Sequence, residues 1–239
     1  MLFILATLYG LHRYHISRTL QKIKAHEAIR KEEISKIRQI LARDFHDEMG
    51  NKLASITVLT SALDLLIKEK PQQVQEVLDN LENTSKDLFT GTKSFIWSMD
   101  PDSDNLKEII AYIQHFAVDL LKNSGISFSI TPKLDELPTL VLPMGYSRQI
   151  YFIFKEAITN AMVHSNAKSI LLLTKVIINK NQFEIELSDN GDGLENEETF
   201  GKGLHNMTDR ANKINSQLSH FNNKKGGFTV KLQGLLPGS

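Results

Sequence analysis

The sequence contains no cysteine among its 239 residues, which excludes disulfides, thiolate catalysis and cysteine-ligated zinc or iron–sulfur sites. It also has no excess of charge, because 28 basic residues balance 28 acidic ones. This balance argues against direct nucleic-acid binding, which usually selects a broad basic surface. The length and the hydrophobic fraction of 41% suit one large domain or two small ones with a real core.

The N-terminus has only a short apolar run, residues 2–9, whereas a membrane span needs about 20 residues. The run is followed, before any acidic residue, by Arg13, Arg18, Lys22 and Lys24. A signal peptide carries its basic residues before the apolar run. The order found here predicts that residues 1–10 are the end of a transmembrane helix, with residues after about 10 in the cytoplasm. The alternative is an apolar patch on a soluble helix.

Glycine and proline are scarce in the first hundred residues, where only Gly50 and Pro71 occur between positions 10 and 91. Apolar residues recur three or four positions apart over residues 34–66. This pattern predicts a helix of more than 30 residues, a break next to Pro71, and a second helix that ends before Pro101. Two such helices cannot enclose a core, so we expect a homodimeric four-helix bundle. The alternative is packing of this hairpin on the C-terminal half of the same chain.

Beyond Pro101 the pattern changes to alternating helical and strand-like segments. Helices are predicted over residues 105–123 and 145–165 and from about Leu204. Strands are predicted over residues 126–131, 169–178, 182–188 and 227–233, the second and third forming a hairpin. The fold class is therefore α plus α/β: a long helical hairpin followed by a two-layer α/β sandwich with a mostly antiparallel sheet.

The first group of residues with chemical potential lies in the middle of the long helix, around His46. Phe45 belongs to the apolar stripe, so His46, about 100° further round, should face solvent at its edge. Gly50 costs roughly 1 kcal/mol against alanine in a helix interior, and would leave space beside the imidazole for a second domain. Asp47 and Asn51 lie one turn apart. A neutral imidazole is a nucleophile and a carboxylate can accept its proton, although such pairs often decorate a solvated helix face.

A second group is a polar stripe, Glu156, Asn160 and His164, at four-residue intervals on the helix predicted over 145–165. Carboxylate and amide oxygens suit a hard cation such as Mg²⁺, which bridges phosphates. The alternative is an ordinary solvent-facing stripe.

Two glycine-containing loops complete the set. Asp189, Gly191 and Gly193 follow a predicted strand, where the glycines permit a tight turn and the aspartate can accept a hydrogen bond from an exocyclic amine. The same sequence is also common in turns that bind nothing. Gly201 and Gly203 precede Leu204 at a helix start, an arrangement that presents backbone N–H groups to phosphate but matches neither the Walker nor the dinucleotide fingerprint.

Taken in order, the four motifs resemble the sensor histidine kinases of two-component systems, in the subfamily of the nitrate sensors and membrane-fluidity sensors. The resemblance covers residues 30–235. It implies a dimerisation and phosphoacceptor hairpin, a hinge and an ATP-binding domain of the type shared with gyrase and Hsp90. The expected segments are a signalling helix (11–33), the phosphoacceptor domain (34–99), the hinge (100–104), the ATP-binding domain (105–235) and a short tail (236–239).

The resemblance also implies roles for single residues. His46 matches the phosphorylated histidine and Asp47 the residue that assists its deprotonation. Asn51 stands where many relatives have a glutamine linked to dephosphorylation of the partner, and Ile40 stands where an arginine is frequent. In the ATP-binding domain, Glu156 matches an acidic catalytic residue and Asn160 the Mg²⁺-binding asparagine. Asp189 matches the residue that recognises adenine, and the other nucleotide-binding positions are His164, Gly191, Gly193, Gly201, Gly203, Leu204 and Thr229.

The resemblance therefore implies a kinase of the bacterial cell membrane that uses ATP and Mg²⁺ to phosphorylate His46. The phosphoryl group would pass to an aspartate in the receiver domain of a response regulator with a helix-turn-helix output. Dephosphorylation of that regulator is left open, since Asn51 is one methylene shorter than glutamine. Alternatives are an ATP-hydrolysing conformational protein that uses Glu156, or a non-catalytic dimeric adaptor. A serine kinase of the anti-sigma type shares the nucleotide fold but has no use for the hairpin.

Overall fold

The computed structural model describes residues 2–194, 202–223 and 226–236, and it divides into two compact units, Met1–Ser85 and Lys86–Ser239. The first unit contains helix α1, Leu2–Glu69, and a short 3-10 helix, Pro71–Gln73. Helix α2, Val74–Met99, begins in the first unit and ends in the second. The expected break next to Pro71 and the expected end before Pro101 are both found.

Helix α1 is continuous for 68 residues, more than twice the minimum expected from its apolar stripe. It ends at Glu69 because the residue before a proline is disfavoured in the helical region. Part of the stripe stays accessible in the single chain, where Leu53 is 53% exposed and Met49 is buried. Among the described residues, no helix includes a stretch both long and apolar enough to span a bilayer.

The second unit is built on a five-stranded sheet of order β1-β2-β3-β5-β4. The pair β1–β2 at one edge is parallel and all other pairs are antiparallel, so the sheet is mostly antiparallel, as predicted. The strands are β1 Ser127–Thr131, β2 Ser169–Ile177, β3 Gln182–Asp189, β4 Gln217–Asn222 and β5 Phe228–Leu235. Strand β4 was not expected, because this edge strand is largely polar and no run of apolar residues marks it.

Three helices cover one face of this sheet: α3 Leu106–Leu121, α4 Tyr146–His164 and α5 Lys202–Lys213. Their apolar side chains form one buried cluster with alternate residues of the central strands, among them Phe183, Ile185 and Leu187 of β3. This arrangement is the predicted two-layer α/β sandwich.

The segment between α2 and α3 is attached to the second unit. It contains a 3-10 helix, Pro101–Asp104. The hydroxyl of Ser103 donates to the Ser147 hydroxyl at 3.2 Å. The buried carboxylate of Asp104 accepts hydrogen bonds from the backbone N–H groups of Gly145 at 3.3 Å and Ser147 at 3.2 Å, at the start of α4. The C-terminal end of the expected hinge, residues 100–104, is thus fixed to the sandwich, while the hinge itself stays a prediction.

Candidate functional site

A cavity of about 420 Å³ opens between α4, α5 and the loop that follows β3. This volume is within the range typical of small-molecule sites. Seven residues singled out from the sequence line the cavity: Glu156, Asn160, His164, Asp189, Gly193, Gly203 and Leu204. The fold thus brings three motifs that are separate in sequence to the wall of one cavity.

The polar stripe of α4 forms one side of the cavity because its members are one helical turn apart. The first turn of α5 lies close to this stripe. A Cβ atom on Gly203 would overlap the carboxylate of Glu156 and lie 3.4 Å from the side-chain nitrogen of Asn160. The N-terminal end of α5 therefore approaches the carboxylate and the amide, which is the chemistry expected around a metal-bound phosphate.

Asp189 provides a buried carboxylate at another part of the wall. Its Oδ1 accepts hydrogen bonds from the backbone N–H groups of Gly191 at 2.8 Å and Phe228 at 3.4 Å. Burial raises the pKa of Asp189 above its usual value, although these two hydrogen bonds lower it. Within the described ranges, the recorded donors to this carboxylate all reach Oδ1, which leaves Oδ2 for an exocyclic amine of a ligand.

The loop after β3 is fixed to the end of α4 and the start of β2. The Asp192 N–H donates to the Ser165 carbonyl at 2.8 Å, and Asn190 Oδ1 accepts from the N–H of Ser169 at 2.8 Å. Gly191 lies against the same carbonyl, since a Cβ there would overlap the oxygen of Ser165. The space beside Gly191 is therefore occupied by protein backbone, and Gly191 is not among the residues that line the cavity.

Thr229 lies away from the cavity wall. Its hydroxyl is 2.7 Å from that of Ser188 on the neighbouring strand. Successive side chains of a strand point to opposite faces, so Phe228 and Val230 line the cavity and Thr229 does not. Thr229 is therefore not among the residues that line the cavity, and its expected role in nucleotide binding stays a prediction. The expected phosphate-loop residue Gly201 lies outside the described residues.

Sequence reasoning missed most of the apolar wall of the cavity. This wall includes Leu187, Leu194, Met207, Phe228 and Val230. The alternation of Phe228, Val230 and Leu232 along the closing strand was a usable signal, because it marks one face of that strand as apolar.

His46 lies on α1 in the first compact unit, and its side chain is exposed, as the stripe predicts. A Cβ on Gly50, one turn later, would meet no atom within 4 Å. This open space agrees with the expected clearance beside the imidazole. Asn51 is also exposed, whereas the side chain of Asp47 lies outside the described ones.

Comparisons with known proteins point to one family. Residues 38–104 match the model HisKA_3, described as histidine kinase. The chain is 26% identical over 194 residues to the sensor histidine kinase YxjM of Bacillus subtilis, which covers 80% of this chain and 46% of the relative. It is 26% identical over 215 residues to the sensor histidine kinase LiaS of the same organism, covering 82% and 54%. The chain thus spans about half the length of these relatives.

Solved structures share the fold. The Acinetobacter baumannii histidine kinase AdeS superimposes with a TM-score of 0.53 and 14% identity, over 77% of this chain and 96% of that one. At this identity the likeness shows the fold alone: a helical region followed by a mixed α/β domain. With the family match at the hairpin and the relatives along most of its length, the chain resembles the sensor histidine kinases of the HisKA_3 type.

Proposed function

We propose that this chain is an ATP-dependent protein-histidine kinase that phosphorylates its own His46. One observation carries the proposal: the cavity that α4, α5 and the loop after β3 enclose is lined by seven residues expected at a nucleotide site. Its wall combines a buried carboxylate, apolar side chains and the N-terminal end of a helix. This combination matches the three parts of a nucleotide, namely a base with an amino group, its apolar faces and its phosphates.

In the proposed complex, Asp189 accepts a hydrogen bond from the amino group of adenine, and Phe228 and Met207 contribute to the apolar surface around the base. The phosphates lie towards Gly203 at the start of α5, where backbone N–H groups and the positive end of the helix dipole favour an anion. Glu156 and Asn160 supply the carboxylate and amide oxygens that fit a magnesium ion. Bound there, the ion would neutralise charge on the phosphate oxygens.

The proposed reaction transfers the γ-phosphoryl group of ATP to the imidazole of His46. A nitrogen–phosphorus bond forms, the bond from the γ-phosphorus to the bridging oxygen breaks, and ADP leaves with that oxygen. The imidazole proton passes to a carboxylate, for which Asp47, the next residue in the chain, is the proposed acceptor. The exposed position of His46 supports this role, since a phosphoryl acceptor must be accessible.

Partners and location are part of the same proposal. We infer a homodimer, because the apolar stripe of α1 retains exposed members such as Leu53, and α2 adds Leu78, which is 41% exposed in the single chain. The phosphohistidine would pass its phosphoryl group to an aspartate of a response regulator. Membrane attachment is supported by the apolar run 2–9 followed by four basic residues.

The test uses the full chain, radiolabelled ATP and Mg²⁺. We expect the unmodified chain to acquire acid-labile, base-stable label and His46→Gln to acquire none. The matched control is His15→Gln, which removes another exposed histidine of the same helix and should label as the parent does. Equal labelling of His46→Gln would refute the assigned phosphoacceptor. Rapid phosphate release without any phosphoprotein would favour an ATP-hydrolysing conformational protein instead.

A further inference from the structure

One side chain that does not line the cavity, Asn222, is hydrogen-bonded to the backbone of Leu194, which does line it. Asn222 is the last residue of β4. Its Oδ1 accepts a hydrogen bond from the Leu194 N–H at 2.8 Å, and its Nδ2 donates to the Leu194 carbonyl at 2.9 Å. The backbone N–H and C=O of Leu194 are therefore both hydrogen-bonded to the side-chain amide of Asn222, as they would be to a neighbouring strand in a β-sheet.

Gly193, the preceding residue, lies against the same amide. It has φ of +72°, a conformation that favours glycine, and a Cβ there would lie 2.8 Å from Asn222 Oδ1 and 2.7 Å from the Gly226 carbonyl oxygen. Gly193 and Leu194 both line the cavity. The amide of Asn222 thus contacts two consecutive residues of the cavity wall, Gly193 and Leu194.

The next residue of the hairpin holds the other end of the same loop. Asn223 donates from Nδ2 to the Asp189 carbonyl at 2.9 Å, and its Oδ1 accepts from the Gly227 N–H at 3.2 Å. The loop from Asp189 to Leu194 is therefore held at both ends by adjacent asparagines at the tip of the β4–β5 hairpin.

The pairing at Leu194 uses both the acceptor oxygen and the donor nitrogen of a side-chain amide, a group that only asparagine and glutamine carry. A carboxylate accepts but cannot donate, a hydroxyl has a single oxygen, and a hydrocarbon does neither. Strand β4 is already paired along its whole length with β5, up to Asn222 opposite Phe228. The side-chain amide of Asn222 is therefore not needed to form the sheet, and its two bonds act on the cavity wall.

We propose that Asn222 is a positioning residue for the nucleotide: by holding the backbone of Leu194 it keeps Gly193 and Leu194 on the cavity wall beside Asp189 before ATP binds. This inference rests on the proposed binding of ATP in that cavity. A wall that is already ordered spares the nucleotide the entropy cost of ordering it, so the amide acts on affinity.

The test compares Asn222→Leu, which is neutral and close in size, with the unmodified chain. Loss of the two hydrogen bonds should weaken ATP binding roughly fivefold, measured by calorimetry, and should raise KM for ATP more than it lowers kcat. The Leu194 amide should exchange its hydrogen faster, while the midpoint of thermal unfolding should shift by less than about 2 °C. A purely structural role would lower that midpoint and leave the affinity of the folded protein unchanged.

The matched control is Asn212→Leu, an exposed position of α5 that does not line the cavity, and it should bind ATP as the parent does. Asn222→Ala serves as a second variant and should behave like Asn222→Leu. Parental affinity in both Asn222 variants would overturn the inference alone. Absence of ATP binding by the unmodified chain would instead refute the proposed function, and the inference with it.

Discussion

Trp97 at the end of α2 stacks on Tyr112 of α3, with ring centroids 4.0 Å apart and ring planes 3° apart. Tyr151 of α4 packs edge-on against both rings. Burial raises the pKa of Tyr151 to about 12, and a hydrogen bond with Ser94 of α2 opposes this shift. These contacts join the last turns of α2 to the sandwich, which explains why the compact unit begins at Lys86 and not at the end of the hairpin.

Replacing Tyr112 by alanine should loosen this attachment. We expect Tyr112→Ala to lower the free energy of unfolding by about 1–3 kcal/mol, because a half-buried aromatic contact is lost. Trp97 is the only tryptophan, so its fluorescence reports the site directly and should shift to longer wavelength. Tyr14→Ala, at an exposed position of α1, should change neither property. An unchanged emission spectrum in Tyr112→Ala would contradict the stacking.

We expect the carboxylate of Asp189 to lower the stability of the folded protein at neutral pH while it contributes to ATP binding. Because burial raises its pKa, the folded state favours the protonated carboxyl. This contribution to stability is fully present below the ordinary pKa of 3.8 and is lost as the pH rises through the raised value. Asp189→Asn removes the titration, so its stability relative to the parent should increase from acid to neutral pH in urea unfolding. Its affinity for ATP should fall by roughly tenfold or more.

Asp135→Asn is the control for this pH dependence, since Asp135 is exposed and does not line the cavity. Its stability relative to the parent should not follow the trend of Asp189→Asn. If Asp189→Asn bound ATP as tightly as the parent, the proposed contact with the adenine amino group would be wrong.

Adding a methyl group should have opposite effects at two glycines. In Gly191→Ala the methyl would overlap the carbonyl of Ser165, so the loop must move. We expect the free energy of unfolding to fall by about 1–3 kcal/mol. In Gly50→Ala the methyl enters open space in a helix interior, and we expect the free energy of unfolding to rise by about 0.5–1 kcal/mol. Urea unfolding of both variants checks the two signs. A shift of the same sign in both would refute this account.

Glu184 is buried on β3 between two lysines. Its Oε2 lies 2.7 Å from Lys231 Nζ, and its Oε1 lies 3.3 Å from Lys175 Nζ. Burial alone would raise the pKa of Glu184, but the hydrogen bonds and charges of the two lysines outweigh it, and the pKa is lowered. The resulting stability is present above the ordinary pKa of 4.5 and is lost as the pH falls through the lowered value.

Lys231→Met should therefore destabilise the protein by about 1–3 kcal/mol at neutral pH, because a buried carboxylate loses its nearest partner. The difference from the parent should shrink as the pH falls into the acid range, measured by urea unfolding at several pH values. Lys180→Met, at an exposed turn position, should show no such difference. A destabilisation of Lys231→Met that is independent of pH would point to lost packing alone.

Much of the fold was predictable because its signals are local. The end of α2 follows from Pro101, the continuity of α1 follows from the scarcity of glycine and proline, and the polar stripe of α4 follows from four-residue spacing. Strand β4 was not predictable in this way, because its residues are largely polar and, within the described residues, it pairs with β5 alone. The same holds for Asn222, whose partner Leu194 lies 28 positions away in the chain.

By itself, the amino-acid sequence determined the helices, the strands other than β4, and which polar residues lie on a common helix face, since these depend on neighbours within a turn or two. Tertiary structure alone decided that Phe228 and not Thr229 lines the cavity, and that Gly191 meets the backbone of Ser165. Strand register and loop packing set these contacts, and a shift of one residue along a strand would turn every side chain to the other face.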